Sequence, residues 1–179
     1  MQRVPASVMN PIIKLWPFRG WAIDLMGQIF PPSSKGHKLV LVATNYFTKW
    51  VEAIPLKNVM SSNMIEFVKE HITYRIGIPQ TITTDQGAQF TSGEFDEFAT
   101  GMGIKMINSS PYYAQANGQA EASNKGIIKL IKRKIDENPR RWHTVLHEAL
   151  WAYRMACHDA TKVSPYQLVY SYDAVLPEN

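Results

Sequence analysis

Three carboxylates stand where a carboxylate needs a reason. Asp24 interrupts an apolar run between Ile23 and Leu25. A charge inside such a run is costly unless it is hydrogen-bonded, paired or metal-bound. Asp85 follows the strand-like QTITT (80–84) and opens onto Gln86-Gly87. Strand ends in α/β sheets are common places for sites. Glu121 falls in the first turn of a long helical pattern, and thirty-five residues separate it from Asp85. Carboxylate oxygens from two strand positions and one helix suit a hard divalent cation such as Mg²⁺. A pair of such ions activates a nucleophile and stabilises a leaving oxygen in phosphoryl displacement. A single strand aspartate is more often a satisfied structural residue, so the argument rests on all three together.

The elements that would position these residues follow from pattern. WAIDLMGQI (21–29) reads as a strand and Pro31 to Gly36 as a turn. KLVLVATNYF (38–47) and KWVEAIPL (49–56) are rich in β-branched and aromatic residues. A short Thr48–Lys49 link joins them as a hairpin. A helix capped by Ser61 or Ser62 runs to Ile76, where Gly77 and Pro79 end it. A strand at QTITTD (80–85), a helix from Ser92 to near Gly101 and a strand at IKMI (104–107) come next. The segment 108–117 reads as a loop, and long helices follow at 118–138 and 141–158. Three antiparallel strands, then alternating helices and strands, define an α/β domain with a mixed sheet covered by helices. The organisation expected is a lead-in at 1–20, a core at 21–160 and a tail at 161–179.

Composition sets the bounds. The 179 residues are 45% hydrophobic and 19% charged, a globular balance, and the net charge of +4 admits an anionic partner. With one cysteine no internal disulfide forms, which fits a reducing compartment. Cys157 reads as a small buried hydrophobe rather than a catalytic thiol. One cysteine and five scattered histidines do not make a four-ligand zinc module. His143 and His147 have zinc-compatible spacing without a third ligand nearby, and read as part of an amphipathic helix. Trp142, Trp151 and Tyr153 read as core or subunit-interface residues. No apolar run is long enough to span a membrane, and the N-terminus lacks the apolar stretch and cleavage site of a signal peptide.

On a helix at about 100° per residue, Lys125, Lys129 and Lys132 fall within ~80° of Glu121 on one flank, while Ile127 and Leu130 fall about 120° and 180° away and Ile131 and Ile135 about 80° and 40° away on the other flank. A solvated amphipathic helix looks the same, but a basic stripe beside a catalytic carboxylate would draw phosphates towards it. Tyr112 and Tyr113 suit either packing or base stacking. Gln115 and Asn117 offer amide contacts, and Gly118 offers loop mobility.

The segments WAIDLMG (21–27), VATNYFTKWVEAIPL (42–56), GIPQTITTDQGAQFTS (77–92), SPYYAQANGQAEASNK (110–125) and NPRRWHTVLHEALWAYR (138–154) resemble the integrase core of retroviruses and long-terminal-repeat retrotransposons. The likeness is greatest to the gypsy class, especially plant elements, and covers about residues 16 to 177. That family carries an Asp in its first strand, an Asp after its fourth and a Glu thirty-five intervening residues later. The resemblance implies an RNase H-like fold with a five-stranded mixed sheet flanked by helices. It implies that Asp24, Asp85 and Glu121 hold two Mg²⁺ or Mn²⁺ ions. It implies trimming of 3′ ends on double-stranded element DNA and their joining to target DNA in the nucleus, by a homo-oligomer. Asn45 stands where many relatives carry Asp, and Gln86 replaces a common Asn; neither removes a ligand. The His-His-Cys-Cys zinc module and the C-terminal DNA- or chromatin-binding module of full integrases do not fall within this sequence. An inactive DNA-binding or assembly remnant and an RNase H-like nuclease without strand joining are the competing readings.

Overall fold

The structure, a computed structural model, describes residues 17–84, 93–108, 114–159 and 161–171, with side chains from 125 onward in the segment that begins at 114. Five strands form one sheet: β1 (Gly20–Gly27), β2 (Leu39–Asn45), β3 (Val51–Leu56), β4 (Thr81–Thr84) and β5 (Lys105–Asn108), in the order β3-β2-β1-β4-β5. The first three pair antiparallel, and β4 and β5 join parallel to β1. This is the mixed sheet expected, three antiparallel strands followed by two parallel ones. The crossovers to β4 and β5 contain helices, as parallel pairing requires.

Period-two alternation sends β1 side chains to two cores. Trp21 and Ile23 join Leu41, Ala43 and Ile82 in one cluster, covered by Met64, Phe67, Val68, Ile72, Phe95 and Ala99. Val40, Val42, Val51 and Ala53 face a second cluster, covered by α4 (Ala114–Glu137) and α5 (Trp142–Met155) through Ile127, Ile131, Ile135, Trp142 and Leu146. The sheet is therefore the middle of three layers.

The first helical region comprises α1 (Ser61–Phe67), a π-helical segment (Val68–Thr73) and α2 (Tyr74–Ile76), ending at Gly77 with φ 118°. The cap is Met60, without a side-chain capping bond, and not a serine. The β2–β3 link is longer than Thr48–Lys49. It spans residues 46–50 because the buried Asn45 amide builds it. Asn45 Oδ1 accepts from Phe47 N, Thr48 N and Thr48 Oγ1 at 3.1, 2.9 and 3.0 Å, and Nδ2 donates to the Gly20 carbonyl at 2.9 Å. Aspartate lacks that donor, which gives the amide a purpose in this chain.

α3 (Gly93–Gly101) buries Phe95 and Ala99. α4 begins at Ala114, four residues before the position read from sequence. Ala114, Gln115, Ala116, Gln119 and Ala120 favour helix strongly enough to carry Asn117 and Gly118 with them. The terminal segment contains α6 (Pro165–Tyr170), opened by a capping box between Ser164 and Gln167 with Pro165 at its first turn. Cys157 is exposed, contrary to its reading as a buried hydrophobe. It lies past the end of α5, where neither core reaches. Among the described residues no helix is long and apolar enough to cross a membrane.

Candidate functional site

Asp24 lies on β1 opposite Val42, so it shares the sheet face that α4 and α5 cover. Its neighbours Ile23 and Leu25 point into the other core. The side chain is partly exposed, and Oδ1 accepts from Leu25 N at 2.9 Å. The carboxylate is thus at the margin of an apolar face, accessible to water and to ions. On the other flank of β1, β4 runs parallel in the register Ala22↔Thr83 and Ile23↔Thr84. Thr84 is the last described residue of that strand.

Asp85, Tyr112 and Tyr113 lie outside the described residues, as do the side chains of Gln115, Asn117 and Glu121. The backbone at Gln115, Asn117, Gly118 and Glu121 is helical. Glu121 consequently stands about two turns inside α4 rather than in its first turn, and Gly118 is a helical residue rather than part of a loop. Further along α4, Ile127, Ile131 and Ile135 are buried, while Lys125, Lys129, Lys132 and Arg133 are exposed. Arg133 Nε donates to Glu137 Oε1 at 2.9 Å, so that guanidinium is engaged. Glu137 sits below its ordinary value, chiefly through this hydrogen bond.

Among the described residues no three His, Cys, Asp or Glu side chains meet in a metal-binding group. His147 is exposed, and the His143 ring packs 5.2 Å from that of His37. Trp142 and Tyr153 belong to the core, and Trp151 is exposed. Carboxylate oxygens suit Mg²⁺ or Mn²⁺, and of the three carboxylates singled out in the sequence only the Asp24 side chain lies among the described residues.

Sequence reasoning missed a second acid inside an apolar strand. Glu52, between Val51 and Ala53, is buried on the face away from Asp24. Trp50 Nε1 donates to its Oε1 at 2.9 Å, and the Arg154 and Arg75 guanidinium groups stand 3.0 and 3.4 Å from Oε2. His71 Nδ1 is 3.9 Å from Oε2. Burial pushes the Glu52 carboxyl up, but His71, Arg154, Trp50 and Arg75 together hold it below its ordinary value. Arg154 also donates to the Val51 carbonyl at 3.0 and 2.6 Å and stacks on Trp50 at 4.2 Å. The signal was present, since KWVEAIPL interrupts an apolar run with an acid just as WAIDLMG does.

A five-stranded mixed sheet in this order, with helices on both faces, is the RNase H-like fold. Comparison with known proteins agrees. The family described as "Integrase core domain" matches residues 16–114, more than half of the sequence, and the chain belongs to that family. The Pro-Pol polyprotein of Feline foamy virus is 31% identical over 97% of this chain, and that of Simian foamy virus type 3 (strain LK3) is 29% identical over 95%. The Transposon Tf2-3 polyprotein of Schizosaccharomyces pombe is 26% identical over 89%. The chain spans only 14% of the length of the two viral polyproteins and 12% of the transposon polyprotein. The HTLV-2 integrase catalytic core domain, solved in complex with magnesium in a trimeric form, shares the fold at a TM-score of 0.68. Its identity is 24%, covering 86% of this chain and 97% of that one. A simian T-cell lymphotropic virus intasome chain shares it at 0.74, with 23% identity over 100% of this chain and 63% of that one.

Proposed function

We propose that the chain is the catalytic core of a polynucleotidyl transferase that trims the 3′ ends of element DNA and joins them to target DNA. Asp24, Asp85 and Glu121 hold two divalent cations in this reading. When bound, the cations supply charge neutralisation and activation for in-line displacement at phosphorus. The protein's own part is to hold three carboxylates rigidly and to guide the duplex. The single observation that carries the proposal is the position of Asp24, a carboxylate on the α4 side of β1 where β4 ends. Asp85 is peptide-bonded to Thr84, which keeps their Cα atoms about 3.8 Å apart, and Thr84 pairs with the residue preceding Asp24. Glu121 is six residues before Ile127, about 9 Å along a helix that packs on Val40 and Val42. The magnesium in the HTLV-2 core supports the choice of cation.

Residues 21–160 carry the core in this account, between flanks at 1–20 and 161–179. The chain comes from a gypsy-class element of the plant type and acts on double-stranded DNA in the nucleus as a homo-oligomer. Exposed Lys125, Lys129 and Lys132 contact phosphates next to the site, and Tyr112, Tyr113, Gln115, Asn117 and Gly118 lie near the scissile DNA. The test is incubation with a short duplex ending in a terminal-repeat sequence and Mn²⁺, beside an Asp85→Asn control. Joined products that vanish in the control are expected. Cleavage without joining would identify a nuclease, and binding without products a remnant; either result overturns the proposal.

A further inference from the structure

A second group of cations lies past the C-terminal end of α4. Three segments build it: the β1–β2 connection, the residue after β3, and the α4–α5 connection. The Arg140 carbonyl accepts from Ser34 N at 2.7 Å, and Lys38 N donates to the Leu56 carbonyl at 3.0 Å, which ties the three together. Ser33 Oγ lies 3.2 Å from His37 Nδ1 and receives the His37 amide at 3.1 Å. The His37 ring packs 5.2 Å from His143. Around this hinge of rings stand Lys35, Lys57, Arg140 and Arg141, all exposed.

None of these four cations has an ion-pair partner among the described residues. The nearby carboxylates Glu137 and Glu148 are engaged by Arg133 and Lys134. Their positive charge is felt by the two histidines. Burial first, and then His143, Lys57 and Lys35, hold His37 below its ordinary value; burial, Lys35 and Arg141 do the same to His143. α5 starts at the same place with no acid in its first turn and no side-chain cap, so its dipole adds to the positive field. Such a concentration of like charge works against folding and is relieved by a polyanion.

Its location selects the polyanion. Gly27, paired with Leu39 at the end of β1, is three residues beyond Asp24, about 10 Å along the strand. His143 belongs to α5, which covers the sheet face that carries Asp24. We infer that Lys35, Lys57, Arg140 and Arg141 form a second contact surface for the phosphate backbone of duplex DNA, engaged at the same time as the carboxylate site. The inference rests on the integrase reading for its choice of partner.

The test is equilibrium binding of the whole chain to a labelled 30-base-pair duplex, followed by fluorescence anisotropy across salt concentrations. EDTA is present, so the result does not depend on metal binding or turnover. The variant Lys35→Ala/Lys57→Ala/Arg140→Ala/Arg141→Ala removes exposed charges that have no ion pair among the described residues, and its fold is checked by thermal melting. Each lost phosphate contact lowers the log-log salt slope by about 0.9. A fall of about two to four in the slope, with affinity at least about tenfold weaker at low salt, is expected. Lys125→Ala/Lys129→Ala/Lys132→Ala measures the other stripe separately. An unchanged slope in the fourfold variant overturns the inference. So does loss of polyglutamate binding with duplex binding intact, which would identify an acidic protein partner.

Discussion

Asp24→Asn abolishes DNA joining, by a thousand-fold or more, and leaves stability within about 1 kcal/mol when divalent cations are absent. The two halves of this result belong together. Disturbing groups that merely orient metal ligands costs about 10–100-fold, and losing a ligand costs more. A thousand-fold loss corresponds to about 4 kcal/mol of transition-state stabilisation. Asparagine preserves the shape, and its side-chain oxygen still accepts from Leu25 N. In the proposed reading, what disappears is a negative charge that serves the chemistry, and removing a charge from the edge of an apolar face costs the fold little. Rates of joining together with melting curves in EDTA check both halves. A variant that keeps activity contradicts the assignment. One that loses several kcal/mol of stability marks Asp24 as a structural residue.

Glu52→Gln gives the opposite pattern. It leaves the Arg154 guanidinium, only 16% exposed, without its counter-ion. Breaking one side of a buried pair typically costs about 3–5 kcal/mol. Arg154 keeps its bonds to Val51 and its stacking on Trp50, so the lower end of that range applies. For a domain of this size the melting temperature falls by about 6–12 °C. Replacing both partners, Glu52→Leu with Arg154→Met, removes the stranded charge and recovers much of the loss. The pH dependence has a definite sign. The folded carboxyl lies below the ordinary glutamate value of 4.5. Its contribution is present above that value and fades as pH falls through the folded one. The wild type therefore loses stability on acidification below about pH 4.5, and the variant loses correspondingly less. A shift under about 2 °C at neutral pH would mean that the network is only a surface feature.

These two acids show where sequence is legible and where it is not. Asp24 and Glu52 carry the same local signature, a carboxylate in an apolar strand. Sequence cannot tell them apart because the partners that neutralise Glu52 come from Arg75 and Arg154, far away in the chain. The mixed sheet under helical cover was readable from the β-rich runs at 21–56 and from the helix-strand alternation after them, and the buried side of α4 from the spacing of Ile127, Ile131 and Ile135. The β2–β3 link was not, because one side chain, Asn45, lengthens it through bonds invisible to local propensity. The start of α4 was misplaced because Asn117 and Gly118 looked like loop residues amid strong helix formers. α6 was overlooked although Ser164, Pro165 and Gln167 spell its cap.

The most direct measurement is Mn²⁺ binding to the whole chain by titration calorimetry, repeated on Asp24→Asn, Asp85→Asn and Glu121→Gln. Shared coordination predicts that each single change weakens binding by at least about tenfold, with no one carboxylate dispensable. If any of the three variants retained the affinity of the parent, those side chains would not hold common ions, and the enzymatic account would fail.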